Sequence, residues 1–525
     1  MLHTRFYQRS FLDLDPDAIG LPAASFERHL RDLLPLIVGP DDFKGFYHDT
    51  MGTSSCCPIV LTGMLILQHR YDLSDPELVE RCSRDLGFKC ALRMRADQPA
   101  YSIASLRRHR GKVRQRLGED FIHRRVLEIA YEAGLLDDTE LQAVDSTNTE
   151  CRGAIIDTYN LVATAIKQVI RKVAECLEVP TEKLAEEWGL PRYLRRSIKG
   201  AVSIDWNDKA ARDALITEEV RDAEQLVMRV KTLDLMLPVD VTEAIDLMLK
   251  VAHQDVKRLD DGTFTIVHGT APGRVISITD PEARHGHKTQ NKLINGFKTH
   301  VKGTLQSQFV TGIAITDASV HDSQATEELI DQTDNTNLSP KALVGDCAYG
   351  TGPNRRKCRD RGVEIYAKTP TPSTRGAIGK HEFEIDLDGM KITCPAGKTT
   401  SQYTLVKDAD GSDQMVPNFK FHKDVCQACP LTDRCNSQTR NGGGRRVRLS
   451  AYEKEIREAR AFNATARGKQ ILRARSAIER LISHLVRMGM RHARFFGMCM
   501  VQFQALMTAA AYNLQRYITL CIQRR

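Results

Sequence analysis

Two short stretches place an aspartate where it is costly to leave one. "LVGDCAYG" (343–350) runs an apolar segment into Asp346, with a glycine on either side of it, Gly345 and Gly350, and the small residues Cys347 and Ala348 after it. "ELQAVDSTN" does the same with Asp145, followed by Ser and Thr. Both read as strands that end in an acid and a small-residue turn. A carboxylate at the end of a buried strand is expensive unless it is paired, hydrogen-bonded or bound to a metal. Two such acids in one domain point to a shared cation, since two carboxylates can supply oxygen ligands to Mg²⁺ or Mn²⁺. A third carboxylate would complete a two-metal site for phosphoryl transfer. Glu479 is the candidate. It is one of four acids after residue 434, and Arg473, Arg475 and Arg480 surround it. Helical spacing puts Arg475 on the face of Glu479, which sets a carboxylate near a metal and guanidinium groups near phosphates. On spacing alone, Glu479 also reads as a surface salt-bridged residue. Asp145 and Asp346 taken singly read as turn or cap residues. Cys347, next to Asp346, lacks a His or Asn partner pattern and reads as a small packing residue rather than a nucleophile.

A second set is sulfur. Cys426, Cys429 and Cys435 form C-x₂-C-x₅-C, with Cys394 upstream. Four thiolates suit tetrahedral Zn²⁺ in a small segment without a core of its own, with His422 as an alternative ligand. Disulfides and plain reduced thiols are the other readings. A zinc here would be structural.

The elements that must carry these residues follow from periodicity. Residues 1–138 read as helical, and "IASLRRHRGKVRQRLGEDFIHRRVLEIAYEAGLL" sets apolar residues three and four apart. The outer face of this helix carries Arg107, Arg108, Arg110, Lys112, Arg114 and Arg116. That is compatible with a helix-turn-helix-like DNA-binding unit or with a solvated face. Residues 152–260 return to helix and read as an insertion. From about 262 to 368 the pattern is strand-rich. "RVISIT", "GFKTHVKGT", "SQFVTGIAIT", "KALVGD" and "VEIYAK" are strands, with helices at 322–331 and 353–361 and a polar, basic loop at 280–292. This is an α/β order. Residues 370–450 form the cysteine island, closed by "NGGGRR" (441–446) as a flexible break. Residues 451–518 are helical again.

Length and charge fit this organisation. The chain has 525 residues, enough for several domains. Net charge is +8, yet from Arg434 to the end there are 19 Lys/Arg against 4 Asp/Glu. Such a concentration suggests a polyanion partner; helices with solvated basic faces are the alternative. The 14 cysteines mostly stand singly in apolar segments, as reduced core residues do. No signal peptide and no apolar stretch long enough for a membrane span is expected, so the sequence predicts an intracellular protein.

The order of these segments resembles a DDE transposase of bacterial insertion sequences, of the subgroup with a cysteine knot before the final Glu. "VDSTN" and "VGDCAYG" resemble the two catalytic Asp segments. "DPEARHGHK", "GFKTHV" and "VTGIAITDASVHDS" resemble the basic loop, second strand and third strand. "CPAGK…CQACPLTDRC" resembles the cysteine island, and "RARSAIERLISHLVRMGMRHARFFG" the Glu helix. The likeness covers nearly the whole chain and rests on order and spacing rather than on one motif. It implies an RNase H-like mixed sheet core, 139–150 with 262–369. Around it come a helical DNA-binding domain (1–138), a helical insertion (151–261), the cysteine-rich insertion (370–450) and C-terminal helices carrying the catalytic Glu (451–525). Asp145, Asp346 and Glu479 become the metal-binding triad, with two Mg²⁺ (or Mn²⁺) per site, and the four cysteines a structural Zn²⁺ site. Arg284, Lys288, Lys298, Arg475, Arg487, Arg107 and Arg108 become DNA contacts. Relatives often carry a Tyr ahead of the Glu and a Lys about seven residues after it. This chain has no Tyr there, and Val486 then Arg487 stand after it. The implied activity is strand cleavage and strand transfer on transposon ends and target DNA, by a homodimer in the cytoplasm at the nucleoid. The rivals are a metal-dependent nuclease on the same core, and a domesticated DNA-binding protein without catalysis.

Overall fold

The computed structural model describes residues 13–46, 56–233, 236–289, 292–333, 337–369, 378–408, 413–435 and 443–524. Its main sheet has six strands: β1 (Gln142–Glu150), β2 (Arg284–Thr289), β3 (Lys292–Thr304), β4 (Val310–Asp317), β5 (Ala342–Val344) and β6 (Glu364–Tyr366). The order is β2-β3-β1-β5-β6, and β4 also pairs with β3. β3 is antiparallel to β1, β2 and β4, whereas β1, β5 and β6 are mutually parallel. This is a mixed α/β sheet. Parallel neighbours need a crossover, and helix Gly352–Asp360 supplies the one between β5 and β6.

Alternation sorts the side chains onto two faces. Ala143 and Val344 join Val301, Ile313, Ile478, Leu481, Leu485, Ala505 and Ala509 on one face. These include residues of helices Ser476–Leu485 and Met498–Arg524. Val144, Leu343, Ala314 and Ile365 face the other way, with Tyr349, Leu329 and Cys358. The terminal helix is buried along most of its length. One side closes the sheet, while Phe503, Met507, Ala510, Leu514 and Ile518 pack into the core of the N-terminal helices.

Helices Thr158–Cys176, Lys209–Thr232 and Val239–Gln254 surround a separate apolar core. Asp157 and Asp208 start the first two by accepting the amide N–H of Asn160 and Ala210.

Several sequence expectations change. β1 does not end at Asp145 but continues to Glu150, because β3 pairs with it throughout. What ends near Asp145 is the pairing with β5, whose last matched pair is Ala143 with Val344. "RVISIT" is not a strand. The Gln254 side chain both accepts from and donates to the backbone of Val275, at 2.9 and 3.0 Å, in place of a ladder partner. The polar loop at 280–292 contains β2, and Gly286 lets it approach: a Cβ there would lie 2.2 Å from the Ala318 carbonyl oxygen. The cysteine island has its own apolar core of Ile378, Phe383, Ile392, Phe419, Phe421, Val447 and Leu449. In the expected break, Asn441 and Gly442 lie outside the described residues. Gly444 packs against the Phe421 carbonyl, and Arg446 opens a short strand.

Candidate active site

The period of two carries Asp145 and Asp346 to one place. Ala143 and Val344 are neighbours on adjacent parallel strands and share a face. Two residues further on, Asp145 follows Ala143 along β1 and Asp346 follows Val344 out of β5. The same face is covered by helix Ser476–Leu485, which buries Ala477, Ile478, Leu481 and Leu485. Glu479 stands between those inward residues, with 60% of its side chain exposed.

One guanidinium joins the acids. Arg475 Nη1 donates to Asp145 Oδ2 at 2.8 Å, and Nη2 donates to Glu479 Oε1 at 2.9 Å. Asp145 Oδ1 accepts the Ser146 N–H at 2.8 Å, and Asp346 Oδ1 accepts the Ala348 N–H at 2.9 Å. The Asp145 side chain is only 17% exposed. Burial pushes its carboxyl up to about 6. The Ser146 N–H and Arg475 oppose this, and the charges of Asp346 and Glu479 add to it. Acids separated by hundreds of positions thus act on one another electrostatically, around a single guanidinium. Among the described residues, no group of three or more His, Cys, Asp or Glu side chains is drawn together tightly enough to hold a metal ion.

A polar network lies on the opposite face, where sequence reasoning placed none. Ser146 Oγ donates to Asp322 Oδ2 at 2.7 Å, and Lys298 Nζ donates to Asp322 Oδ1 and the Val320 carbonyl, both at 2.7 Å. Beside it, His300 bridges the Tyr349 hydroxyl (3.0 Å) and Thr316 Oγ1 (2.9 Å). Burial pushes the imidazole down to about 4, so it is neutral at pH 7. Asp322 is therefore held below β1, away from the Arg475 guanidinium. Glu364 pairs with Ala342, at the far end of β5 from Asp346. The available signal was alternation: Lys298, His300 and Lys302 fall on one face of β3.

The expected DNA contacts divide. Lys298 is not a surface contact, since it is 15% exposed and bound to Asp322. Arg284 donates to the carbonyls of Pro281 and Ala283. Arg107 is exposed but leans on Asp75 at 3.3 Å. Arg110 leaves the expected outer face, buried against Asp75 and Gln68. Arg108 and Arg487 are exposed, and Arg487 donates to Ser483 Oγ at 3.3 Å. The Lys288 side chain lies outside the described residues.

The cysteines stand at the edge of the island's core, with Cys394, Cys426 and Cys435 partly buried against it. The Leu431 N–H donates to Cys429 Sγ (3.5 Å), and the Arg445 N–H to Cys426 Sγ (3.4 Å). Burial pushes the Cys435 thiol up; Arg445 opposes this, and Cys426, Cys394 and Cys429 add to it. Cys347 is likewise pushed up by burial and the Asp346 charge, which suits packing and not nucleophilic attack.

Two stretches match known families. Residues 393–518 match the model of a transposase DDE domain, and residues 19–112 that of a transposase domain (DUF772). The chain is thus similar to DDE transposases of insertion-sequence type. The DDE match covers the four cysteines and Glu479, while Asp145 and Asp346 lie outside both matches. No curated protein and no solved structure matches the chain. Among the described residues, no helix is long and apolar enough to cross a membrane.

Proposed function

We propose that this chain is a DNA transposase that cleaves and joins strands at a site made of Asp145, Asp346 and Glu479. The observation that carries this reading is the Arg475 bridge from Asp145 to Glu479, at a carboxyl raised by burial, with the charges of Asp346 and Glu479 adding to it. The strand order, three antiparallel strands and then two parallel ones on the other side of β1, supports an RNase H-like core. Division of the chain into N-terminal helical, core, insertion, cysteine-rich and C-terminal parts belongs to the same proposal, as does a homodimer on two DNA ends.

The donor set suits a hard divalent cation. Three carboxylates stand against one guanidinium, that of Arg475, with Asp145 raised by burial and further by its acidic neighbours, and oxygen ligands are what Mg²⁺ and Mn²⁺ take. Asp145, Asp346 and Glu479 would hold the ions. When bound, two such ions would supply activation of water or a 3′-OH and stabilisation of the leaving oxygen. The chain's own residues do the rest. β1 and the turn after β5 fix Asp145 and Asp346 through the Ser146 and Ala348 N–H groups. Arg475 holds Glu479 toward them and places a guanidinium where a scissile phosphate would lie. A strand-transfer assay with pre-cut ends tests the reading: joining of the 3′-OH to target DNA supports a transposase, and cutting without joining supports a nuclease.

For the cysteine island we propose one structural zinc, held by Cys394, Cys426, Cys429 and Cys435. The Cys435 sulfur stands near enough to feel Cys426, Cys394 and Cys429, and four cysteine ligands suit tetrahedral Zn²⁺. Elemental analysis is expected to find about one zinc per chain. Cys426→Ser with Cys429→Ser lowers stability without touching the acids. Four freely titrating thiols and no zinc would contradict it.

A further inference from the structure

Away from the acids, a cleft of about 630 Å³ opens between the helical insertion and the core. Its lining includes Lys167, Arg171, Arg195 and Arg196 from the insertion and Phe496 from the loop before the terminal helix, with no Asp or Glu. Lys167 is tied to the Leu194 carbonyl at 2.9 Å. Arg171, Arg195 and Arg196 are exposed. The Phe496 ring is 46% exposed, and the Arg152 guanidinium lies over it, 5.2 Å from its centroid.

β1, which carries Asp145, is tied at its other end to the segment that precedes Phe496. At its far end Glu150 exchanges backbone hydrogen bonds with the 491–493 segment: its N–H donates to Arg491 and its carbonyl accepts from Ala493, both at 2.8 Å. Arg152 then donates to the Arg494 carbonyl at 2.6 Å. From Asp145 to Glu150 the strand runs roughly 16 Å, and Arg152, two residues beyond, lies over the Phe496 ring that lines the cleft.

We infer that this cleft holds an unpaired DNA strand, with Arg171, Arg195 and Arg196 on its phosphates and Phe496 stacked on a base. Free guanidinium groups without competing carboxylates suit a polyanion. An exposed aromatic ring beside them is what single-stranded nucleic acid uses and a duplex, with its bases already stacked, does not. The volume lies within the range of a small-ligand pocket, roughly 300–1,000 Å³, and is too small to seat a duplex. The inference rests on the reading of the chain as one that acts on DNA, and names the form of DNA taken beside the acidic site.

The test is fluorescence anisotropy of the whole chain with a labelled oligothymidylate and with a blunt duplex of equal length, across a salt series. Neither oligonucleotide requires cleavage, so a chain that binds as inferred yet fails strand transfer overturns the transposase reading alone. Phe496→Ala is expected to weaken oligothymidylate binding roughly five- to ten-fold and leave duplex binding unchanged. Arg195→Gln with Arg196→Gln is expected to weaken it further and to flatten its salt dependence. Unchanged single-strand affinity in both variants overturns the inference. An equal loss on the duplex also overturns it, since the cleft then serves double-stranded DNA.

Discussion

Replacing Asp145 by asparagine is expected to remove the proposed strand cleavage by the whole chain and to leave DNA binding in place. Asp346→Asn and Glu479→Gln are expected to do the same. Each change keeps shape and removes one negative charge from a site that must collect positive charge around a phosphate. Metal-assisted stabilisation of such a transition state is worth several kcal/mol, and each 1.36 kcal/mol is tenfold in rate. The expected loss is therefore about a hundred- to a thousand-fold or more, read as single-turnover cleavage. On the proposal that the three carboxylates act as a unit, a double variant is expected to lose little beyond the worst single one. Near-wild-type cleavage in any one variant removes that residue from the site.

Lys298→Met carries the largest expected cost in stability. Its ammonium and the Asp322 carboxylate are 15% and 14% exposed, and the bond between them is 2.7 Å. Burial alone would raise Asp322, but Lys298 and Ser146 hold it below the ordinary carboxylate value. Removing one partner of a buried pair leaves an uncompensated charge and costs about 3–5 kcal/mol. Since the carboxyl is lowered in the folded chain, the pair stabilises it above the ordinary carboxylate range and is lost as pH falls through its lowered value. The deficit is thus fully visible at pH 7, as a drop in the denaturant midpoint. Adding Asp322→Leu to Lys298→Met is expected to recover most of it. A single variant as stable as wild type would mean that the pair contributes nothing.

The acids were visible in the sequence because their cost was visible. An apolar run that meets an aspartate needs an explanation, and both Asp145 and Asp346 met that description. The face they share followed from alternation once β1 and β5 were paired in register. Other features depended on partners far along the chain. β1 extends past Asp145 only because β3 runs beside it, 150 residues later. "RVISIT" has a strand's composition, but one glutamine, Gln254, satisfies its backbone instead. Arg110 sits among exposed arginines in sequence, yet Asp75 draws it inward, as Asp322 draws Lys298. Such pairings depend on which carboxylate stands opposite in the fold, and local spacing carries no record of that. The core of the cysteine island was hidden similarly, because its apolar residues are scattered over 378–449 and meet only across two small sheets.

The central claim is that three distant acids form one cation site, and titration of the whole chain with Mn²⁺ tests it most directly. Wild type is expected to bind Mn²⁺, and to bind it more weakly as pH falls through about 6, because Asp145 takes up a proton there. Asp145→Asn, Asp346→Asn and Glu479→Gln should each lose that binding, and Asp322→Asn should retain it. The account is contradicted if any of the three binds Mn²⁺ as wild type does, or if Asp322→Asn alone abolishes binding.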